Sequence, residues 1–137
     1  MCWVGLCMSS RETPIFDRNF AVLTVAYCGF LFFLSAQSSL PLPQYFSWQD
    51  LIEHAAAYFV LGILARKAFP EVPGWVIILF VALYGGSDEI HQYFVPGRTC
   101  DILDFAADVT GGTIAVIIHR QLLLRRLART ANKRGVP

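Results

Sequence analysis

Trp75-Val76-Ile77-Ile78-Leu79-Phe80-Val81-Ala82-Leu83-Tyr84 is a solidly apolar run, and Gly85-Gly86-Ser87-Asp88-Glu89-Ile90-His91-Gln92 continues it with the opposite character. Pro73-Gly74 before it opens a helix, because proline is tolerated in a first helical turn. Val95-Pro96-Gly97-Arg98 after it reads as a turn. One helix therefore carries an apolar body and an ionisable end. A bilayer accommodates both, with the body in lipid and the polar end turned toward the bundle interior or a water-filled cavity.

The rest of the chain agrees with this reading. It has 137 residues, enough for one domain, of which 55% are hydrophobic and 15% charged. Soluble domains average about 25% charged residues. The mean hydropathy is +0.51. These values predict an integral membrane protein. The net charge of +1 excludes a basic nucleic-acid binder and an acidic disordered tail.

Three more helices are predicted. Asn19 to Gln49 carries no charge, and its apolar core, Phe20 to Ala36, has a length near the lower limit for a span. The run starts too late and is too long for a cleaved signal peptide, so a retained helix is expected. A serine- and proline-bearing loop follows, from Gln37 to Gln49. Ser47 then reads as the cap of a second helix over about Trp48 to Phe69, with Asp50 favourable in its first turn. Arg66, Lys67 and Pro70 close that helix. The fourth helix begins near Asp101, continues to His119 and frays into a basic tail of Arg120, Arg125, Arg126, Arg129, Lys133 and Arg134.

The fold class that results is an all-α membrane protein: a four-transmembrane-helix bundle with cytoplasmic N- and C-termini. Its parts are a cytoplasmic segment at 1–18, the four-helix domain at 19–120 and a basic cytoplasmic tail at 121–137. The orientation follows from the basic residues. With the N-terminus inside, Arg11, Arg18, Arg66, Lys67 and the six tail residues all lie inside, and Arg98 alone lies outside. Glu12, Asp17 and Glu71 share the inner side, whereas Asp50, Glu53, Asp88, Glu89, Asp101, Asp104 and Asp108 lie toward the outer side.

Cys2, Cys7, Cys28 and Cys100 match neither a zinc site nor a redox pair. No basic, apolar leader precedes Cys7, which argues against a lipid anchor there. Met8 offers a second start position. Cys100 is expected to be the one thiol near the outer surface, with no intramolecular disulfide.

Spacing predicts that the outer polar residues converge. Asp50, His54 and Tyr58 share a helix face, as do Tyr84, Asp88 and Gln92, and as do Asp101, Asp104, Asp108 and Gly111. Asp108 is the deepest. An acid at that depth costs about 2.5–3.5 kcal/mol on insertion scales, so it faces inward. Grouped carboxylates repel, and something must offset them. Arg98 can do so as a bidentate partner, His54 or His91 by carrying protons, and a divalent cation by binding oxygen ligands. The plainer readings are helix capping by Asp50, Asp101 and Asp104, a packed His54 bonded to Asp50, and an Arg98 that only neutralises acids. Tyr58, Tyr84 and Tyr93 read as interface aromatics. Gly85-Gly86 and Gly111-Gly112 read as close helix contacts.

Ser38-Ser39-Leu40-Pro41, Asp50 to His54 with Ala57 to Gly62, Asp88 to Arg98, and Asp104 to Asp108 with Gly111 together resemble the VanZ-like family of bacterial membrane proteins. The segment from Asp88 to Gly111 carries most of the specificity. The resemblance implies a small multi-pass protein of the bacterial cytoplasmic membrane, and its namesake is linked to resistance to the glycopeptide teicoplanin. The family's polar positions fall on Asp50, His54, Glu89, Gln92, Arg98, Asp104 and Asp108. Leu51 stands where the family often has lysine, and Asp108 where asparagine is common. Both departures add negative charge and favour a bound cation.

Three readings stay open. The first is an envelope protein whose outer acidic pocket binds a membrane lipid or a lipid-linked cell-wall intermediate. The second is an intramembrane metal-dependent hydrolase or transferase acting on a lipid head group. In it Glu89, Asp108, His54 and Asp88 are catalytic candidates, with Glu89 or Asp108 as general base. Arg98, Gln92, Asp104, Asp50 and His91 bind ligand, and Glu89, Asp104 and Asp108 are the candidate metal ligands. The third is a proton or cation pathway. No nucleic-acid partner is expected, and the sequence leaves the oligomeric state open.

Overall fold

The computed structural model describes residues 16–38 and 45–133. Cys2, Cys7, Met8, Arg11, Glu12, the Ser39 to Gln44 part of the loop, and Arg134 lie outside these residues. Among the described residues all regular structure is helical: α1 (Arg18–Ser35), α2 (Gln49–Ala68), α3 (Gly74–Tyr93) and α4 (Ile102–Lys133).

The helix limits have local causes. Asp17 caps α1, its carboxylate accepting from the backbone N–H groups of Asn19 and Phe20. Its own N–H donates to the Ala68 carbonyl, which ties the start of α1 to the end of α2. At the same end Arg66 donates to the carbonyls of Phe69 and Val72, and the Lys67 ammonium lies 4.8 Å from the centre of the Phe20 ring.

Two expected boundaries need correction. Ser47 does not cap α2. A turn from the Phe46 carbonyl to the Gln49 N–H takes up Ser47, and Trp48 becomes the capping residue without a side-chain bond. Nor does α4 fray after His119. It runs unbroken through Lys133, giving 32 residues, or about 48 Å. Residues 120–133 are rich in leucine, arginine and alanine and hold no glycine or proline, so nothing in them stops a helix.

The four helices run alternately up and down. The broadest contact is between α2 and α4; α1 lies mainly on α2, and α3 mainly on α4. Glycine makes the central contact possible. A Cβ at Gly111 would overlap the Ala55 carbonyl of α2, and one at Gly112 would lie 2.5 Å from Cγ1 of Val81 on α3. α4 therefore presses against both neighbours through adjacent glycines, as the pair in the sequence predicts. Leu31, Tyr58, Leu61 and Val81 form one apolar core cluster, and Ala65, Ile77 and Val116 form a second toward the opposite end.

The periphery is apolar as well. Val22, Leu23, Val25, Phe30, Phe32 and Phe33 of α1 are all exposed, as are Trp75, Leu79 and Leu83 of α3. Apolar patches this extensive are unusual on a water-soluble monomer. Two helices, α1 and α4, are long and apolar enough to cross a membrane by composition alone. The ionisable end of α3 and the charged ends of α2 dilute the hydropathy of those two helices.

Candidate functional site

The alternating helix directions bring the C-terminal ends of α1 and α3 together with the N-terminal ends of α2 and α4. The predicted turn forms between α3 and α4. The Arg98 N–H donates to the Val95 carbonyl, with Pro96 and Gly97 between them. Gly97 has φ +86°, the left-handed value that the third position of a type II turn requires. This turn aims Arg98 into a cavity of about 700 Å³.

All four helices line the cavity. Ser35 comes from α1, Asp50, His54 and Tyr58 from α2, Asp88 and Gln92 from α3, and Asp104 from α4. The spacing arguments therefore hold for Asp50–His54–Tyr58 and for Asp88–Gln92. Beneath this lining lies the deepest carboxylate. Asp108 is 0% exposed, and its Oδ1 accepts a 2.9 Å hydrogen bond from His54 Nδ1–H. His54 Nε2 stands 4.0 Å from Oδ2 of Asp104. His54 thus bridges two carboxylates of α4; its closest acidic partner is Asp108, across the helix interface, and not the Asp50 partner expected on its own helix.

Glu89 is 4% exposed and has a clear structural task. Its Oε2 accepts from the Asp101 backbone N–H at 2.8 Å, which fixes the start of α4. Asp101 then caps that helix, its Oδ1 accepting from the Leu103 N–H, as the capping reading predicted. Asp88, at 6% exposure, accepts from Gln92 Nε2 through Oδ2 over 3.4 Å. Each of the three acids keeps one oxygen without a hydrogen-bond partner among the described residues: Oδ1 of Asp88, Oε1 of Glu89 and Oδ2 of Asp108. Arg98 Nε, the Tyr58 hydroxyl and the Ser35 hydroxyl are likewise buried without one. Buried polar groups are costly unless they are hydrogen-bonded, so these atoms at and below a cavity wall form a receptive surface for polar ligand groups.

Gly85 explains how Asp108 fits. A Cβ at that position would lie 2.9 Å from Asp108 Oδ2 and 3.3 Å from the Tyr58 ring. Gly86 makes no such approach, its nearest neighbour being the Phe105 ring at an ordinary contact distance. Only the first glycine of that pair serves close packing here.

Several expected roles are redistributed. His91 does not line the cavity; it stacks on Phe32 of α1, with ring centres 4.3 Å apart. Arg98 lies on the cavity wall but makes no ion pair within 4.0 Å with a carboxylate among the described residues. Tyr58 is fully buried rather than placed at an interface, and Tyr84 donates its hydroxyl to the Cys28 carbonyl on α1. Tyr93 is exposed, as an interface aromatic would be. Glu53, placed on the outer side by the sequence reading without a role, lines the cavity and is held by Gln49 Nε2 at 2.8 Å, whereas Ser35 and Thr99 escaped that reading. A lone serine closing an apolar run carries no signal of its own. Tyr58 was legible only through its place on the Asp50–His54 face.

The fold and the site thus define an all-α protein with an apolar periphery and a buried acid–histidine centre at one end. The VanZ/LLP1 family model matches residues 1–125, and the chain belongs to that family. Membership and two span-length apolar helices together support a membrane protein. The comparisons with curated proteins and with solved structures give no match.

Proposed function

We propose that this chain is a four-span protein of the bacterial cytoplasmic membrane, with both termini in the cytoplasm, whose cavity binds a lipid head group or a lipid-linked cell-wall intermediate at the outer leaflet. The observation that carries this reading is the cavity itself. Its volume of about 700 Å³ lies within the range of small-molecule sites, and its wall combines apolar surface from Leu31 and Leu34 with converging polar groups. The orientation rests on the distribution of lysine and arginine. Family membership supports an envelope protein, and a role in glycopeptide susceptibility of the teicoplanin type is the part of the proposal that rests on the namesake alone.

The test is genetic and chemical. A deletion strain is complemented with the wild-type gene or with Arg98→Ala, and glycopeptide susceptibility and lipid-linked precursor levels are measured. The expected result is a change in at least one of them on deletion, reversed by the wild-type gene and not by the variant. Unchanged susceptibility together with unchanged precursors would sink the reading.

A second reading, a hydrolase or transferase acting on a lipid head group, draws on the His54–Asp108 hydrogen bond. A carboxylate-oriented imidazole is a suitable general base. Purified protein would then turn over a membrane lipid, and Asp108→Asn would abolish the turnover. A proton pathway has less behind it: between Asp108 and His119, α4 carries no ionisable residue.

A further inference from the structure

We propose that His54, Glu89 and Asp108 form a binding site for one divalent transition-metal ion of the zinc or manganese class. The proposal deepens the functional reading above, since such an ion would supply the polar floor of the same cavity. The three residues come from α2, α3 and α4, and one donor atom from each lies within 4.8 Å of the others. An acidic grouping alone would not suffice. The independent pointer is that Glu89 and Asp108 are 4% and 0% exposed, yet Glu89 Oε1 and Asp108 Oδ2 have no hydrogen-bond partner among the described residues. Arg98, the arginine on the cavity wall, pairs with neither carboxylate.

The distances suit an ion after a small rearrangement of the side chains. Zinc binds nitrogen and oxygen ligands at about 2.0–2.2 Å, which places two donors of a tetrahedral ion roughly 3.4 Å apart. His54 Nδ1 and Asp108 Oδ1 are 2.9 Å apart in the hydrogen-bonded, metal-free arrangement; the ion would replace the Nδ1 proton, which leaves to solvent, and the pair would widen by about 0.5 Å. The remaining separations, within 4.8 Å, shorten by side-chain torsions, and Glu89 Oε1 can approach an ion while Oε2 keeps its bond to the Asp101 N–H. Gly85, lacking a Cβ, leaves the room that Asp108 Oδ2 occupies.

The donor set selects the ion. One imidazole nitrogen and two carboxylates suit zinc, manganese or ferrous iron, whereas magnesium and calcium favour all-oxygen surroundings. Three protein donors leave coordination positions for a phosphate or carboxylate oxygen of a ligand in the cavity, which His54 also lines.

The experiment uses the full chain in detergent micelles, stripped with chelator and dialysed against Zn²⁺ or Mn²⁺ alone. Metal content is read by mass spectrometry, and the unfolding midpoint is followed with and without ion. The expected result is one ion per chain and a midpoint raised by metal in the wild type. His54→Ala, Glu89→Gln and Asp108→Asn each weaken binding roughly tenfold or more. Glu71→Gln, at the opposite end of the bundle, binds as the wild type does. Should a variant fail to fold, the wild-type protein decides alone. A wild type that takes up neither ion, or that binds Mg²⁺ as tightly as Zn²⁺, overturns the site. An ion bound to the purified protein without any envelope phenotype on deletion keeps the site and removes the functional reading. A phenotype without a bound ion does the reverse.

Discussion

Gly112→Ala tests the packing that places the site. The added methyl would lie 2.5 Å from Val81 Cγ1 and 3.1 Å from both Cβ and Cγ2, while ordinary contact begins at 3.4 Å. The shortfall is about 0.9 Å at the worst atom. Rotating Val81 gives no escape, because its Cβ is itself too close and its branched side chain has one favoured rotamer in a helix. α3 and α4 must therefore separate. Overpacking of this kind costs about 1–3 kcal/mol, against a gain of up to about 1 kcal/mol from replacing a helical glycine. With the full propensity gain the net loss is about 0–2 kcal/mol, or an unfolding midpoint lower by up to roughly 8 °C. Gly29→Ala is the matched control, since a methyl added there meets no atom within 4 Å. It keeps the propensity gain alone and should raise the midpoint by about 3 °C. Both are measured by thermal unfolding in micelles, followed by circular dichroism at a helix band. If Gly112→Ala were as stabilising as Gly29→Ala, the close approach of α4 to α3 would be refuted.

Removing the two hydrogen bonds that Arg66 gives to the Phe69 and Val72 carbonyls by Arg66→Ala should cost about 2 kcal/mol, visible as a lower unfolding midpoint; an unchanged midpoint would show that the α2–α3 connection does not depend on it. Asp17→Ala removes the α1 cap and should cost about 1 kcal/mol in the same assay, with faster amide exchange confined to the first turn of α1. A double-mutant cycle of His54→Ala and Asp108→Asn should give a coupling of about 0.5–3 kcal/mol, whereas additive effects would mean that the 2.9 Å bond contributes nothing. Cys100 is free and exposed, so a membrane-impermeant thiol reagent should label it in intact cells, judged against Cys100→Ser; labelling only after lysis would invert the proposed orientation.

Family membership, the four helices and most of their limits, though not the end of α4, were readable from residues 20 to 120, because each rests on a local property. Hydropathy marks the apolar bodies, Pro73 and Pro70 punctuate them, and the Pro96-Gly97 step sets its own turn. The i, i+4 spacing also showed that Asp50, His54 and Tyr58 share a face, because that periodicity is a property of a single helix. Its partner face was not readable. Nothing local distinguishes Asp108, on a different helix, from Asp50, one turn away, as the partner of His54. The sequence likewise could not separate His91 from Glu89. Both lie at the polar end of α3, but the rotation of that helix sends the imidazole onto Phe32 and the carboxylate toward α4.

The sequence by itself determined that the chain is helical, apolar and charged in separate zones, because propensity and hydropathy act over a few residues. Only the tertiary structure decided which ionisable groups meet. The glycines at 85, 111 and 112 set how closely and at what register α4 lies against α2 and α3, and register, not composition, brings His54, Glu89 and Asp108 within 4.8 Å.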